Sequence, residues 1–389
     1  MDKDTVIGVI GAGTMGAGIA QVAAIAGHQV FLTDANPAML SRAREMHQRS
    51  LDSLAEKGKI PQEKISSVLS AINYVENISS LEKAGVVLEA IMEDLEEKQK
   101  LFSGLESIVS ESCMLASNTS SLSIASVAAG CQVRGRILGV HFFNPAPLMP
   151  LVEIVPALTT DISFIPPMCE LMVNWGKIPV IAKDTPGFIV NRIARPYYGE
   201  SIRIFEEGIA DMATIDWALK EQGGFRMGPF ELMDFIGNDV NFKVTETVWE
   251  QFFYDPRYRP SLTQKRLFEA GMFGRKSGNG YYNYSPSAAK PEPVKDTVLA
   301  SGIFMRVLAM LVNEAVEALY LKIASRDDID LAMTKGVNYP KGLLKWADEL
   351  GCGVILETLE TLQQDYGEDR YRPCIMLKKM AAGKNKFYP

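Results

Sequence analysis

The first 34 residues constrain the fold of this chain more than any other stretch. Thr5 to Ile10 is a short β-rich run, followed at once by the turn Gly11-Ala12-Gly13-Thr14-Met15-Gly16. Gly18 to Ala24 then reads as a helix ended by Gly27, and Gln29 to Thr33 as a second strand finishing at Asp34. Each glycine of the turn has a mechanical reason. Gly11 makes the tight turn, Gly13 lets backbone approach a pyrophosphate, and Gly16 permits close helix–strand packing. The helix then offers its unpaired N–H groups and positive dipole end to phosphates. Asp34 sits where a carboxylate accepts hydrogen bonds from an adenosine ribose, and it would repel a 2′-phosphate, which favours NAD over NADP. A glycine triplet alone would be weak; strand, glycines, helix, strand and acid in this order are specific.

Composition sets the outer limits. A chain of 389 residues has room for two or three domains, each with its own core. A net charge of −7, with no basic block, gives no reason to expect a nucleic-acid partner. The five cysteines are scattered and form no C-x-x-C pair, which suggests reduced thiols in a cytosol-like compartment and no zinc or other metal site. No uncharged run approaches the length needed to span a bilayer, and Met1 to Asp4 leads straight into a strand. A soluble, cytoplasmic protein without a membrane partner is expected.

From Pro37 to about Ile72 the pattern is helical and charged, broken near Gly58 to Pro61, and reads as a protruding helical hairpin. His47 on its polar helix reads as a surface residue and His28 as a helix-end residue. Lys57 and Lys59 are either solvated or able to meet phosphates of a substrate handle. The sheet resumes at Gly85 to Ile91 and at Cys113 to Ser121, each apolar run ending in polar residues. Glu93 and Lys98 follow the first and Ser120 the second, although turn capping alone would also explain Ser117 to Ser121. A further run, Ile137 to Val140, ends at His141, and Glu153 begins the next, Leu151 to Val155. A carboxylate returning beside the imidazole would hold it in one tautomer and stabilise its protonated form, as a general base requires. A lone histidine after a strand is also an ordinary structural residue, so its company matters. Ligands bind at the carboxyl ends of strands in open α/β sheets, so these ends are expected to converge on one crevice.

Asp184-Thr185-Pro186-Gly187 reads as a turn into a helical region. Phe188 to Glu207 has helical periodicity with Pro196 inside it, a kink site. Asn191 near its start either points back to the crevice or lies on the helix surface. The polar, Pro-rich Ser285 to Pro293 reads as a linker. Beyond it the helical pattern recurs at a constant offset of 114: Glu200 falls on Glu314, Asp216 on Asp330, Gly228 on Gly342 and Asp234 on Asp348. Tyr258-Arg259-Pro260 recurs as Tyr371-Arg372-Pro373. At the same offset Asn191 becomes Met305 and Pro196 becomes Met310, and neither the glycine loop nor His141 has a counterpart. The expected organisation is a nucleotide domain at 1–183, a helical domain at 184–284, a linker at 285–295 and a degenerate structural copy at 296–389.

The chain resembles the L-3-hydroxyacyl-CoA dehydrogenase family, which includes 3-hydroxybutyryl-CoA dehydrogenases. The matching stretches are the Gly11–Gly18 loop, Glu89-Ala90-Ile91 with Glu93 and Lys98, Ser117 to Ser121, and His141-Phe142-Phe143-Asn144-Pro145. They continue with Lys183 to Arg192, Met227 to Leu232 and Phe273 to Tyr281. The resemblance implies an α/β plus all-α fold: a Rossmann-type doubly wound sheet followed by two tandem all-helical C-terminal-type domains. It implies reversible, NAD-dependent oxidation of an L-3-hydroxyacyl-CoA to the 3-oxoacyl-CoA, with an acyl-CoA as partner. In that reading His141 is the base with Glu153 as its partner, and Ser120 and Asn191 contact the substrate oxygen. Gly11, Gly13, Thr14, Met15, Gly16, Asp34, Glu93, Lys98, Ser120, Asn144 and Lys276 surround the cofactor. A short acyl chain such as 3-hydroxybutyryl-CoA leads, with another acyl-CoA such as 3-hydroxyadipyl-CoA as the alternative. A non-catalytic nucleotide-binding protein would have lost the base or its partner. Single-copy members resemble dimers joined through their helical domains, so the copy is expected to pack within the chain as a pseudo-dimer, giving a monomer or a dimer.

Overall fold

The computed structural model describes residues 4–388, and the chain divides into two compact units, Met1–Thr185 and Pro186–Pro389. The first unit is built on eight strands: β1 (Ile7–Ile10), β2 (Val30–Thr33), β3 (Ile72–Val75), β4 (Val86–Glu89), β5 (Met114–Ser117), β6 (Ile137–Phe142), β7 (Leu151–Pro156) and β8 (Ile178–Ile181). Their order in the sheet is β3-β2-β1-β4-β5-β6-β7-β8. All neighbours are parallel except β6 and β7, which run antiparallel. Strands β1, β4, β5 and β6 are buried along their whole length, which is why they read as unbroken apolar runs. The chain reverses its direction of travel across the sheet between β1 and β4. That switch point leaves a crevice at the carboxyl ends of the strands.

Two details differ from the sequence reading. Strand β3 begins at Ile72, where the helical pattern was expected to end, and three of its four residues are half-buried, so no apolar run announces it. His47 is fully buried, not on the surface. Its ring lies 2.7 Å from the Ala17 carbonyl through Nε2 and 2.6 Å from the Tyr74 hydroxyl through Nδ1. A carbonyl only accepts, so Nε2 donates and Nδ1 accepts from Tyr74. The polar helix Pro37–Glu56 thereby fastens the nucleotide helix Thr14–Ile25 to β3, and burial pushes the His47 pKa down.

The second unit is all-helical around one long helix, Thr297–Tyr320. That helix is long and apolar enough to cross a bilayer by length and composition, yet 72% of its apolar window is buried inside the unit. Pro196 does not kink a helix. Val190–Ile193 and Arg195–Glu206 are separate helices, and Pro196 lies in the first turn of the second. There a missing N–H leaves no helical bond unmade.

The repeat holds atom by atom. Asp216 accepts from the backbone N–H of Phe230 and Glu231 and from the Tyr282 hydroxyl, at 2.9, 3.0 and 2.7 Å. Asp330 accepts from Leu344, Lys345 and the Tyr388 hydroxyl at 2.9, 3.2 and 3.0 Å. Gly228 and Gly342 fill the same niche: a Cβ on either would overlap the carboxyl group beneath it. Across the copies the ion pairs are reciprocal. Arg192 donates to Glu314 and Arg306 donates to Glu200, both at 2.6 Å. Tyr258 adds a hydroxyl to Glu314 and Tyr371 one to Glu200. Contacts of the form i to j and j to i are those of a two-fold interface between identical subunits. Here both halves lie in one chain.

Candidate active site

Register in the β6–β7 pair places His141 directly opposite Glu153. Both are buried, and Nδ1 of the imidazole is 2.7 Å from Oε2 of the carboxylate. An ionised carboxylate only accepts, so Nδ1–H is the donor. Nε2 is then left as the basic nitrogen, with the Ser120 hydroxyl 2.9 Å from it. Serine, imidazole and carboxylate thus form one line, built from the ends of β5, β6 and β7. Asn118 ties two of these ends together, because its Oδ1 accepts from the backbone N–H of Phe142 at 2.8 Å. Nothing in the sequence reading singled out Asn118.

Glu93 and Lys98 lie beneath this line. The Glu93 carboxylate accepts from the Thr119 hydroxyl, from the backbone N–H of Ser120 at 3.1 Å, and from both N–H and hydroxyl of Ser121 at 3.2 and 2.9 Å. Burial opposes ionisation of Glu93, but the Lys98 ammonium and these hydrogen bonds outweigh it and hold the pKa below the usual carboxylate value. Lys98 is itself buried and donates to Glu89 at 2.5 Å. Glu89, fully buried at the end of β4, also accepts from the Ser117 hydroxyl and the Ile91 N–H, both at 2.7 Å. Glu89 carries a signal that the sequence reading left unused. A carboxylate closing a Val-Val-Leu run must be paired when buried.

The glycine turn has the shape a dinucleotide needs. Gly11 has φ of +98°, and a Cβ there would overlap the Ala90 carbonyl. A Cβ on Gly16 would overlap the Gly11 carbonyl oxygen, so the helix starts against the strand end. At Gly13 a Cβ would meet nothing within 4 Å, leaving open space over the turn. Gly13 also supplies no capping side chain to the helix Thr14–Ile25, so its first-turn N–H groups face that space. Asp34 is held by the N–H groups of Ala12 at 2.7 Å and Asn36 at 2.8 Å, half-exposed, with acceptor capacity to spare. These residues fit a pyrophosphate and a ribose. Asn144 is exposed on the loop after β6. Asn191 and Lys276 belong to the second unit. Asn191 is half-buried in Val190–Ile193, and Lys276 is exposed and paired with Asp239 at 2.6 Å. Among the described residues no cluster of His, Cys, Asp and Glu could hold a metal ion.

The profile of the 3-hydroxyacyl-CoA dehydrogenase NAD binding domain matches residues 6–185, and that of the 3-hydroxyacyl-CoA dehydrogenase C-terminal domain matches residues 187–284 and 303–386. The chain belongs to the 3-hydroxyacyl-CoA dehydrogenase family. It is an NAD-dependent oxidoreductase whose C-terminal domain occurs in two segments, as the repeat requires. It is 39% identical to 3-hydroxyadipyl-CoA dehydrogenase of Escherichia coli K12, over 96% of this chain and 97% of that one. It is 40% identical to the mitochondrial hydroxyacyl-coenzyme A dehydrogenase of Sus scrofa, over 71% of this chain and 90% of that one. Among solved structures, 3-hydroxybutyryl-CoA dehydrogenase from Escherichia coli K12 superposes with a TM-score of 0.92 at 37% identity. That match covers 99% of this chain and all of the other.

Proposed function

We propose that this dehydrogenase oxidises short-chain L-3-hydroxyacyl-CoA, such as 3-hydroxybutyryl-CoA, reversibly to the 3-oxoacyl-CoA. The Ser120–His141–Glu153 line is the observation that carries the reading. Nε2 of His141 takes the proton of the 3-hydroxyl group, and the Glu153 carboxylate stabilises the imidazolium that forms. A positioned histidine contributes roughly 10²–10⁴-fold by general-base catalysis. Ser120 turns its hydroxyl towards the oxygen on which negative charge grows, and Asn191 is the second such donor; removing one donor of this kind costs about 3–4 kcal/mol. When bound, NAD supplies the redox step by accepting the hydride. The glycine turn and helix N-terminus hold the pyrophosphate, Asp34 the ribose, and Glu93, Lys98, Ser120, Asn144 and Lys276 the remainder of the cofactor.

A second reading, a dicarboxylic substrate such as 3-hydroxyadipyl-CoA, is favoured by the full-length similarity to an enzyme of that name. Acyl length is set by pocket shape, and one methylene is worth only about 1–3 kcal/mol of discrimination. NADH absorbance with a series of 3-oxoacyl-CoA substrates, straight-chain and ω-carboxylated, decides between the two. The highest kcat/KM on the four-carbon chain supports the first reading, and the highest on the six-carbon dicarboxylic chain the second. Turnover of neither would overturn both. Residues 184–284 and 296–389 are proposed as two domains joined by a linker, the second structural and packed on the first as a pseudo-dimer within the chain, giving a monomer or a dimer. The reciprocal arginine–glutamate pairs support this, and a stable dimer in light scattering joined through 184–284, with 296–389 detached, would count against it. The five scattered cysteines, without a C-x-x-C pair, fit a cytoplasmic location.

A further inference from the structure

We infer that Lys177 is a positioning residue for the cofactor, acting through the loop that carries Asn144. The inference rests on the reading of Asn144 as a cofactor contact. Lys177 precedes β8 and is buried. Its ammonium donates to the carbonyl oxygens of Ala146 and, at 2.8 Å, of Met149. Among the described residues neither carbonyl accepts a backbone N–H. Among the described residues no carboxylate pairs with Lys177, and burial pushes its pKa down to about 8. A buried ammonium without a counter-charge is a poor source of stability, and an apolar side chain would fill the same space at lower cost. What the ammonium does supply is direction, because two convergent N–H donors fix two carbonyls of one loop.

That loop runs from Phe143 to Pro150 and joins β6, which carries His141, to β7, which carries Glu153. Its other side rests on the nucleotide helix. A Cβ added at Gly18 would lie 3.1 Å from Pro147 and 3.2 Å from Ala146. The loop is therefore held between the Lys177 ammonium and the helix whose N-terminus faces the cofactor space, with Asn144 at its exposed start. Released from Lys177, the carbonyls at 146 and 149 would turn to other partners, and Asn144 would move with the backbone while β6 and β7 stayed paired. The expected defect lies in cofactor binding, not in proton transfer.

Steady-state kinetics on the full chain test this with Lys177→Met, Asn144→Ala and the double variant, with melting followed by circular dichroism. Lys177→Met should raise KM for NAD about tenfold, the scale of effect that small misplacements reach, with kcat changed less than about threefold. The double variant should be no worse than its weaker-binding parent. A raised KM in Asn144→Ala with an unchanged KM in Lys177→Met overturns the inference alone, as does full multiplication of the two effects. An unchanged KM in Asn144→Ala overturns the reading of Asn144 and the inference together. Lys177→Gln, which keeps a donor on a shorter stem, serves if the Met variant does not fold. Its KM should lie above the wild-type value, and a wild-type KM would refute the role.

Discussion

His141–Glu153 in the first unit and Arg192–Glu314 in the second are both buried pairs of a nitrogen base with a carboxylate, at 2.7 and 2.6 Å. They differ in what is left over. Glu314 is saturated by Arg192, Arg257 and Tyr258 from the other helical copy, and it sits on the core helix with a twin, Glu200, in the mirrored position. His141 spends one nitrogen on Glu153 and turns the other to a serine at the end of a strand, where ligands of such sheets bind. A pair whose carboxylate is filled by side chains of the other helical copy makes architecture. A pair that leaves one basic nitrogen at a ligand-facing strand end makes a reagent. The sharpest way to break this contrast is His141→Ala. Its kcat should fall by roughly 10²–10⁴-fold, while NAD affinity stays near wild type. Unchanged turnover in an NADH assay would remove the catalytic role.

The architectural pair should respond in the opposite manner. Glu314→Gln leaves Arg192 and Arg257 with Glu317 as their shared carboxylate, and weakening a buried cluster in this way costs up to about 3–5 kcal/mol, the cost of fully breaking a buried pair. Chemical denaturation should show that loss, with kcat per folded molecule unaltered. The duplication makes the test sharper. Glu200→Gln affects a single guanidinium, Arg306, which keeps Glu207 as a partner, so it should destabilise in the same sense and by a smaller amount. A kinetic defect in either variant at full folding would show that the helical pairs reach the chemistry, and the contrast would fail.

Much of this contrast is legible in the residues, and the exceptions share one cause. The glycine turn, the His141–Glu153 pairing and the 114-residue repeat are all carried by local patterns. A helix must start where Gly16 allows it, and an antiparallel return must bring Glu153 opposite His141 if both runs are strands. Polar residues whose burial comes from distant elements give no such sign. His47 sits on a polar helix and is buried because Ala17 and Tyr74 meet it. Glu93 and Lys98 were marked for the cofactor, yet much of their bonding capacity goes to the Ser120 turn and to Glu89. Lys177 looks like any solvated lysine until the loop after β6 folds over it. Pro196 reads as a kink because periodicity continues through a helix boundary that backbone geometry, not hydrophobicity, sets at Ala194.

The smallest expected effect separates the two helical copies by pH. Asp216 and Asp330 occupy equivalent niches, and burial raises the pKa of both. At Asp216 it outweighs the Tyr282, Phe230 and Glu231 hydrogen bonds, and the Glu231 charge adds to it, lifting the value from 3.8 to about 7. At Asp330 the position of Glu231 is taken by Lys345, whose charge lowers the value instead. A group whose pKa is raised on folding adds stability that is complete below its unfolded value and is lost as pH climbs through the folded value. Asp216 therefore favours folding most below about pH 4 and loses that contribution towards pH 7. Asp216→Asn should flatten the pH dependence of unfolding free energy across this window, and Asp330→Asn should flatten it less. Equal flattening by the two variants would mean that Glu231 and Lys345 do not distinguish the niches. The copies would then be electrostatically as well as geometrically equivalent.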